Sequence, residues 1–389
     1  MDNFAHGVGA MGHAAVSRPE TIGREIAVRL VLKPALSRSW RDSDTLQFGT
    51  ITRYAGVLGQ ADKTLCDFLG LVDGTRERPE LLEAGEQLGL GREPADALLT
   101  DLEETGLLDD AEATGTALAR FPQPHRDLLG PDLASLSLVH SGPGAAPAVL
   151  ARRAGARIEV RGAGRVGAAV AAVLSAGGAG TVTVVDGGRV RPGDCSPAGL
   201  PPGDVGRLRL TAAREAVQRA SGRPMVPVPR RKPDGPPPDL VVLAPRDGSG
   251  AFAGGTYEAR LLLRAGVPHL YVGVVEEFGV VGPLVLPGVS ACGHCLVLRR
   301  EDEDAAWPRI LAQLADGGPG RARTPACDTA LATMVAGLAA LHVQIHLDGG
   351  RPPSVDGWCE VSAGEGMPRR LRLRGHPDCG CLWQPQPPR

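Results

Sequence analysis

Two groups of residues have types and spacings that suit defined chemistry. The first runs from Arg157 to Asp186. β-Branched Ile158 to Val160 end in Gly162-x-Gly164-x-x-Gly167, a stretch of small apolar residues follows, and Val182-Thr-Val-Val closes on Asp186. In a strand–loop–helix–strand unit each part has a physical job. Gly162 permits the tight turn, Gly164 lets a phosphate approach the backbone, and Gly167 lets the helix pack closely on the strand. Amide N–H groups at the helix start attract phosphates, and Asp186 at the tip of the second strand is placed to accept hydrogen bonds from a ribose. The second group is Cys292-Gly-His-Cys295 with His376-Pro-Asp-Cys379-Gly-Cys381 far downstream. Paired cysteines on glycine turns suit a tetrahedral zinc ion with four thiolates. The C-x-C pair is tighter than C-x-x-C, so His376 or His294 is an alternative ligand. A redox-active C-x-x-C predicts a thioredoxin-like strand and helix, but Leu-Pro-Gly-Val-Ser before Cys292 reads as loop. No position stays open on such a metal, so its role is structural, pinning the C-terminal tail to the sheet. Cys195, in a loop over the nucleotide site, is a candidate acceptor thiol. Cys327 opens an apolar helix and reads more as packing.

These residues need a frame to hold them. With 389 residues the chain is long enough for two domains, and its formal net charge of -2 argues against nucleic acid as the main partner. Glycine and proline are abundant (53 and 34), yet 43% of residues are apolar, which describes a globular chain with long loops. Basic residues are almost all arginine; Lys33, Lys63 and Lys232 are the lysines. That skew is compositional, so an arginine is not functional for being an arginine. No apolar run reaches about 18 residues, so no membrane partner is expected. The N-terminus lacks a basic segment followed by an apolar core, and cysteines without a secretion signal read as thiols or metal ligands. The expected compartment is the cytoplasm.

From Arg157 onward the texture alternates. After Asp186 come a loop holding Asp194 and Cys195, a helix over 204–220, a strand over 239–244, a helix over 257–265 and strands at 268–273 and 280–286. Alternation of this kind predicts an α/β, doubly wound, Rossmann-like and mostly parallel sheet. Residues 121–150, rich in Pro, Gly and Ala, read as a linker, and 1–25 as a disordered leader. Between them, 26–120 reads as a small winged-helix-like α+β domain. Its strands fall at Leu30–Leu36, Thr45–Phe48 and Tyr54–Leu58, with a turn at Trp40–Asp44. Its helices are marked by Leu65, Phe68, Leu69 and Val72, by Leu81, Leu82 and Leu88, and by Leu98, Leu99 and Leu102. The third helix carries Asp96, Asp101, Glu103 and Glu104, which would repel phosphate, so the module is not a DNA reader. An exposed strand edge could instead pair with an extended peptide; plain packing or dimerisation is the alternative.

Taken together, Gly162-x-Gly164-x-x-Gly167, Asp186, Asp204-Val-Gly206 at the head of a helix, Cys292-x-x-Cys295 and the late cysteine pair resemble the ThiF/MoeB/ubiquitin-activating adenylyltransferases, over about 150–383. That resemblance implies ATP and Mg²⁺ as cofactors and attack of a carrier protein's C-terminal carboxylate on the α-phosphate to give an acyl-adenylate and pyrophosphate. It also implies a homodimer. The segments Leu32-Lys-Pro-Ala-Leu, Trp40-Arg-Asp, Thr45-Leu-Gln-Phe-Gly and Asp73-Gly-Thr resemble the PqqD-like leader-peptide recognition element attached to ThiF-like proteins of azole-forming peptide pathways. His376-Pro-Asp-Cys-Gly-Cys is closer to those proteins too. The implied partner is the leader of a ribosomally made precursor peptide. By the same resemblance Arg209 takes the place of the phosphate-binding lysine, and Asp194 stands where an asparagine is usual. The Mg²⁺-holding aspartate falls at Arg246, with Asp247 one residue on as the remaining candidate.

Two functions follow. One is an enzyme with Asp186 on ribose, Arg209 on phosphate and Asp247 on Mg²⁺. The other is a catalytically degenerate scaffold that binds a leader peptide and presents the precursor to a partner modifying enzyme. NAD-dependent oxidoreduction fits the glycines but leaves the paired cysteines unexplained.

Overall fold

A computed structural model describes residues 28–50, 56–222, 236–246, 257–315 and 326–382. The expected leader at 1–25, the start of the strand expected at 54–58 and Asp247 lie outside these residues.

At the N-terminal end, Arg29–Leu32 sits between Asp73–Glu77 and Leu108–Asp110, antiparallel to both. A second antiparallel sheet holds Arg38–Trp40, Leu46–Phe48 and Gly56–Leu58 in that order. The expected turn at 40–44 is thus the end of a hairpin whose first strand reaches Trp40. The helices are Lys63–Leu71, Arg78–Leu88 and Arg92–Glu104. Asp62 caps the first by accepting from the Leu65 amide at 2.8 Å. Gly89, at φ +86°, ends the second. Phe48, Phe68, Leu69, Leu81, Leu99 and Leu108 form the core.

Residues 121–150 are not a linker. They fold into helices Gln123–Leu128, Gly130–Val139 and the start of Ala145–Gly155. Prolines at the first turns of the first two helices are compatible with helix there, since those N–H groups lack intrahelical partners anyway. Phe121, Leu129, Leu133, Val149 and Leu150 bury one another in a separate small core. Lys33, though buried, donates to the carbonyls of Ser137 (2.6 Å) and Ser141 (2.8 Å), tying the N-terminal strand to this segment.

The large sheet has seven described strands. Thr181–Val185, Arg157–Arg161, Leu240–Leu243 and His269–Val275 run parallel. Phe278–Val285, Gly357–Ser362 and Pro368–Arg372 extend it antiparallel. Helices Arg165–Ala176, Arg209–Ala220 and Thr329–Leu347 pack on one face, over Ile158, Val160, Val242 and Leu270. Tyr257–Arg264 and Gly293–Glu303 contribute Leu262 and Leu296 to the cluster on the other face, with Val241, Leu243 and Tyr271. Both faces are covered, as the doubly wound expectation requires. Thr329–Leu347 is long and apolar enough by composition to cross a membrane. Its Val335, Ala336, Ala339 and Val343 are instead buried in the sheet core.

One buried ion pair fastens this core. Arg153, at the end of Ala145–Gly155, donates Nε to Asp348 Oδ1 (2.8 Å) and Nη2 to Oδ2 (2.6 Å), and both side chains are less than a tenth exposed. Removing the acid strands a buried guanidinium. Asp348→Ala should therefore lower unfolding stability by about 3–5 kcal/mol, read as a shift in urea midpoint, against less than about 1 kcal/mol for the exposed pair partner Asp67→Ala.

Candidate functional site

Chain order places a crevice beside Gly162. From Arg157–Arg161 the chain steps to Thr181–Val185 on one side and later to Leu240–Leu243 on the other. The carboxyl ends of strands at such a switch point leave a gap where ligands bind. The glycines sit at that gap. Gly162 has φ +107°, and a Cβ there would overlap the Ala244 carbonyl oxygen. A Cβ on Gly167 would overlap the Gly162 carbonyl, so the helix Arg165–Ala176 meets the loop backbone directly. Gly164 caps that helix without a side-chain acceptor and faces Arg246.

Asp186 and Arg209 come together with this loop, but they bind each other. The Ala163 amide donates to Asp186 Oδ2 (2.6 Å), and Arg209 Nε donates to Asp186 Oδ1 (2.8 Å). Arg209 also donates to the Arg189 carbonyl (2.8 Å), to the Gly187 carbonyl, and at 3.5 Å to Asp194 Oδ2. Asp194 is 1% exposed. It accepts from the Arg191 amide (2.8 Å) and pairs through Oδ1 with Arg246. Two acids and two arginines thus form one connected network along the floor of the crevice. Asp247, the expected Mg²⁺ ligand, is outside the described residues.

Other residues of the crevice escaped the sequence reading. Arg161 donates to Glu159 (2.8 Å, Nε) and Glu258 (2.7 Å, Nη1) on the face opposite the main core. The available signal was Arg157-Ile-Glu-Val-Arg161 itself. A central parallel strand is usually apolar on both faces, so charges alternating with Ile158 and Val160 mark one face as functional. A cavity of about 300 Å³ is lined by Arg161, Gly162, Val185, Asp186, Pro245 and Tyr271. A second, of about 80 Å³, is lined by Gly164, Arg165, Asp194, Pro245, Arg246 and Cys327. Cys195 is a poor acceptor thiol: burial, then the neighbouring Asp194, push its pKa up, and its Sγ lies against the Pro201 carbonyl at 3.6 Å.

Both cysteine pairs converge. Sγ–Sγ distances are 3.9 Å for Cys292–Cys295, 3.5 Å for Cys292–Cys379 and 3.4 Å for Cys295–Cys381, and all four sulfurs lie within 4.8 Å of one another. Four sulfurs at 2.3 Å from a tetrahedral ion stand about 3.8 Å apart, so the cluster fits zinc. His376 does not replace a sulfur; its Nε2 faces Asp302 at 2.9 Å. The hydrogen bond between Cys292 and Cys295 holds the Cys295 thiol below its usual range and pushes Cys292 up, and burial pushes Cys379 and Cys381 up, so four buried thiolates here call for a compensating cation. Purified protein should contain about one zinc per chain by mass spectrometry of the metal. Cys379→Ser should release it and lower the melting temperature, and acidification should release it as thiolates take up protons. A reduced, metal-free protein of unchanged melting temperature would refute the assignment.

Residues 147–230 match the model of the ThiF family. No curated protein matches the chain in sequence. Among solved structures, E. coli MccB with ATP is similar at TM-score 0.63 and 16% identity, over 90% of this chain and 99% of that one. The microcin C7 biosynthetic enzyme MccB in complex with N-formylated MccA is similar at TM-score 0.62 and 15% identity, over 91% and 99%. The heterocyclase TruD is similar at TM-score 0.57 and 17% identity, over 91% of this chain but 43% of that one. At these identities the likeness establishes the fold.

Proposed function

We propose that this chain is a leader-binding scaffold of a ribosomal-peptide modification pathway. In this reading the N-terminal winged-helix-like module holds the leader of the precursor, and the ThiF-like domain presents the precursor to a separate modifying enzyme. The observation that carries the reading is the network in the crevice. The ribose acid Asp186 and the phosphate-binding candidate Arg209 spend their hydrogen bonds on each other, and Asp194 is consumed by Arg246 and Arg209. Adenylation needs charge neutralised on the transferring phosphate, and committing those groups internally should cost orders of magnitude in rate. The solved MccB complex with N-formylated MccA supports a peptide partner for this fold. Arg38–Trp40 is an edge strand with all three residues exposed and Trp40 presented to solvent, a surface to which an extended leader could add a strand.

The retained glycine loop and its cavity favour a second reading. There ATP and Mg²⁺ bind the crevice and a carboxylate is activated as acyl-adenylate, with Asp186 on ribose, Arg209 on phosphate and Asp247 on the metal.

Fluorescence anisotropy of a labelled leader peptide with the full chain tests the first reading. Trp40→Ala should weaken binding at least about tenfold, the scale of losing an exposed aromatic anchor. ATP–pyrophosphate exchange with the full precursor should stay at background. Exchange that is abolished by Asp247→Ala would overturn the scaffold reading in favour of the enzyme.

A further inference from the structure

The arginines of the crevice define a ligand class that neither acid in it would select. We propose that the crevice binds a nucleoside polyphosphate as its metal-free anion, with guanidinium groups doing what a divalent cation does in a metal-dependent phosphate site. This goes beyond the scaffold reading, because it gives the crevice a ligand that is held and not consumed.

The two cavities are adjoining halves of one site. Pro245 lines both, and Gly162 and Gly164 sit on either side of Ala163. The larger is lined by Val185, Leu243 and Tyr271 together with Arg161, Asp186 and Glu258, an apolar wall with polar partners that suits a base and a ribose. The smaller is bounded by the glycine loop, Arg165 and Arg246, and its volume of about 80 Å³ suits phosphate groups. The first turn of Arg165–Ala176 borders it through Arg165, Val166 and Gly167.

Among the described residues the donor set does not fit Mg²⁺. Beside phosphates and water, this cation takes one or two carboxylates with oxygens free to reach it. Of the described acids, Glu258 lines the larger cavity, where it pairs with Arg161, and Asp186 offers one oxygen to the Ala163 amide and the other to Arg209. Asp194 offers one to Arg246 and the other to the Arg191 amide and Arg209. Every oxygen of Asp186 and Asp194 already accepts from an N–H group, three of those contacts coming from fixed positive charge. The smaller cavity, where the phosphates would lie, is lined by Arg165 and Arg246 against Asp194, so a divalent cation there would meet net repulsion and an anion net attraction.

The same groups fit phosphate. A guanidinium carries five N–H donors in a rigid fork, so Arg246 can keep Asp194 through Nε while turning other N–H groups to an anion. Arg165 is anchored through Nη1 to the Cys327 carbonyl (2.7 Å) and Thr329 Oγ1 (3.1 Å). Its Nε is buried and has no hydrogen-bond partner, leaving a polar atom beside the smaller cavity without a mate.

Titration calorimetry of the full chain with ATP, in EDTA and in excess MgCl₂, tests the proposal. Binding in EDTA should be at least as tight as in MgCl₂. The paired change Asp194→Asn with Arg246→Gln removes one charge of each sign, so it strands neither partner as a buried ion. It should weaken ATP binding in EDTA at least about tenfold, with the melting temperature and leader binding retained. Arg165→Gln should do the same without touching the Asp194 network. Binding that appears only with MgCl₂ and is lost in Asp247→Ala would overturn the metal-free site. Absence of ATP binding in both buffers would also overturn it, while leader binding, measured on the same samples, judges the scaffold reading separately.

Discussion

The crevice exists because backbone meets backbone at Gly162. Its φ of +107° turns the chain off the strand Arg157–Arg161, and no side chain fits between it and the Ala244 carbonyl. Gly167 repeats the condition one turn into the helix, against the Gly162 carbonyl. These two contacts set how closely the helix, the loop and the neighbouring strand end approach. Asp186, Asp194 and Arg246 are brought within hydrogen-bonding reach of one network only because that approach is so close. A larger residue at either glycine would push the helix outward and separate the acids from the arginines.

Within that frame, electrostatics decide what the crevice is. Buried carboxylates beside guanidinium groups are costly to leave unpaired and strongly held once paired. Asp194, nearly without solvent contact, takes its charge balance from Arg246 and Arg209. Here those groups are engaged with one another. The fold is shared with MccB, and fold alone does not settle activity.

The opposite face of the sheet is closed by different means. Cys292 and Cys295 open a helix over the sheet, and Cys379 and Cys381 return from beyond the last antiparallel strand to meet them. His376 fastens the approach by facing Asp302 on that same helix. A sulfur cluster suited to zinc at this point joins segments more than eighty residues apart, where apolar packing alone would leave a tail free to fray.

Much of this was legible in the amino-acid order. The glycine spacing, the strand ending on Asp186, the alternation of strands and helices and the two cysteine pairs each reflect a local rule: a positive φ, a phosphate approach, a helix face, a tight metal knuckle. Those rules act over a few residues and need no partner from elsewhere. What lies at 121–150 was misread for the complementary reason. Its Pro, Gly and Ala content resembles a linker, and it is folded only because Phe121, Leu129, Leu133 and Leu150 find one another in space. The antiparallel strands Gly357–Ser362 and Pro368–Arg372 likewise take their identity from the neighbour they pair with. The meaning of the charged residues belongs to the tertiary structure most of all. The order of residues shows that Asp186, Asp194, Arg209 and Arg246 are present. Only their distances show that they neutralise one another, because Coulomb interactions depend on separation in space and the chain brings these four together from as many segments.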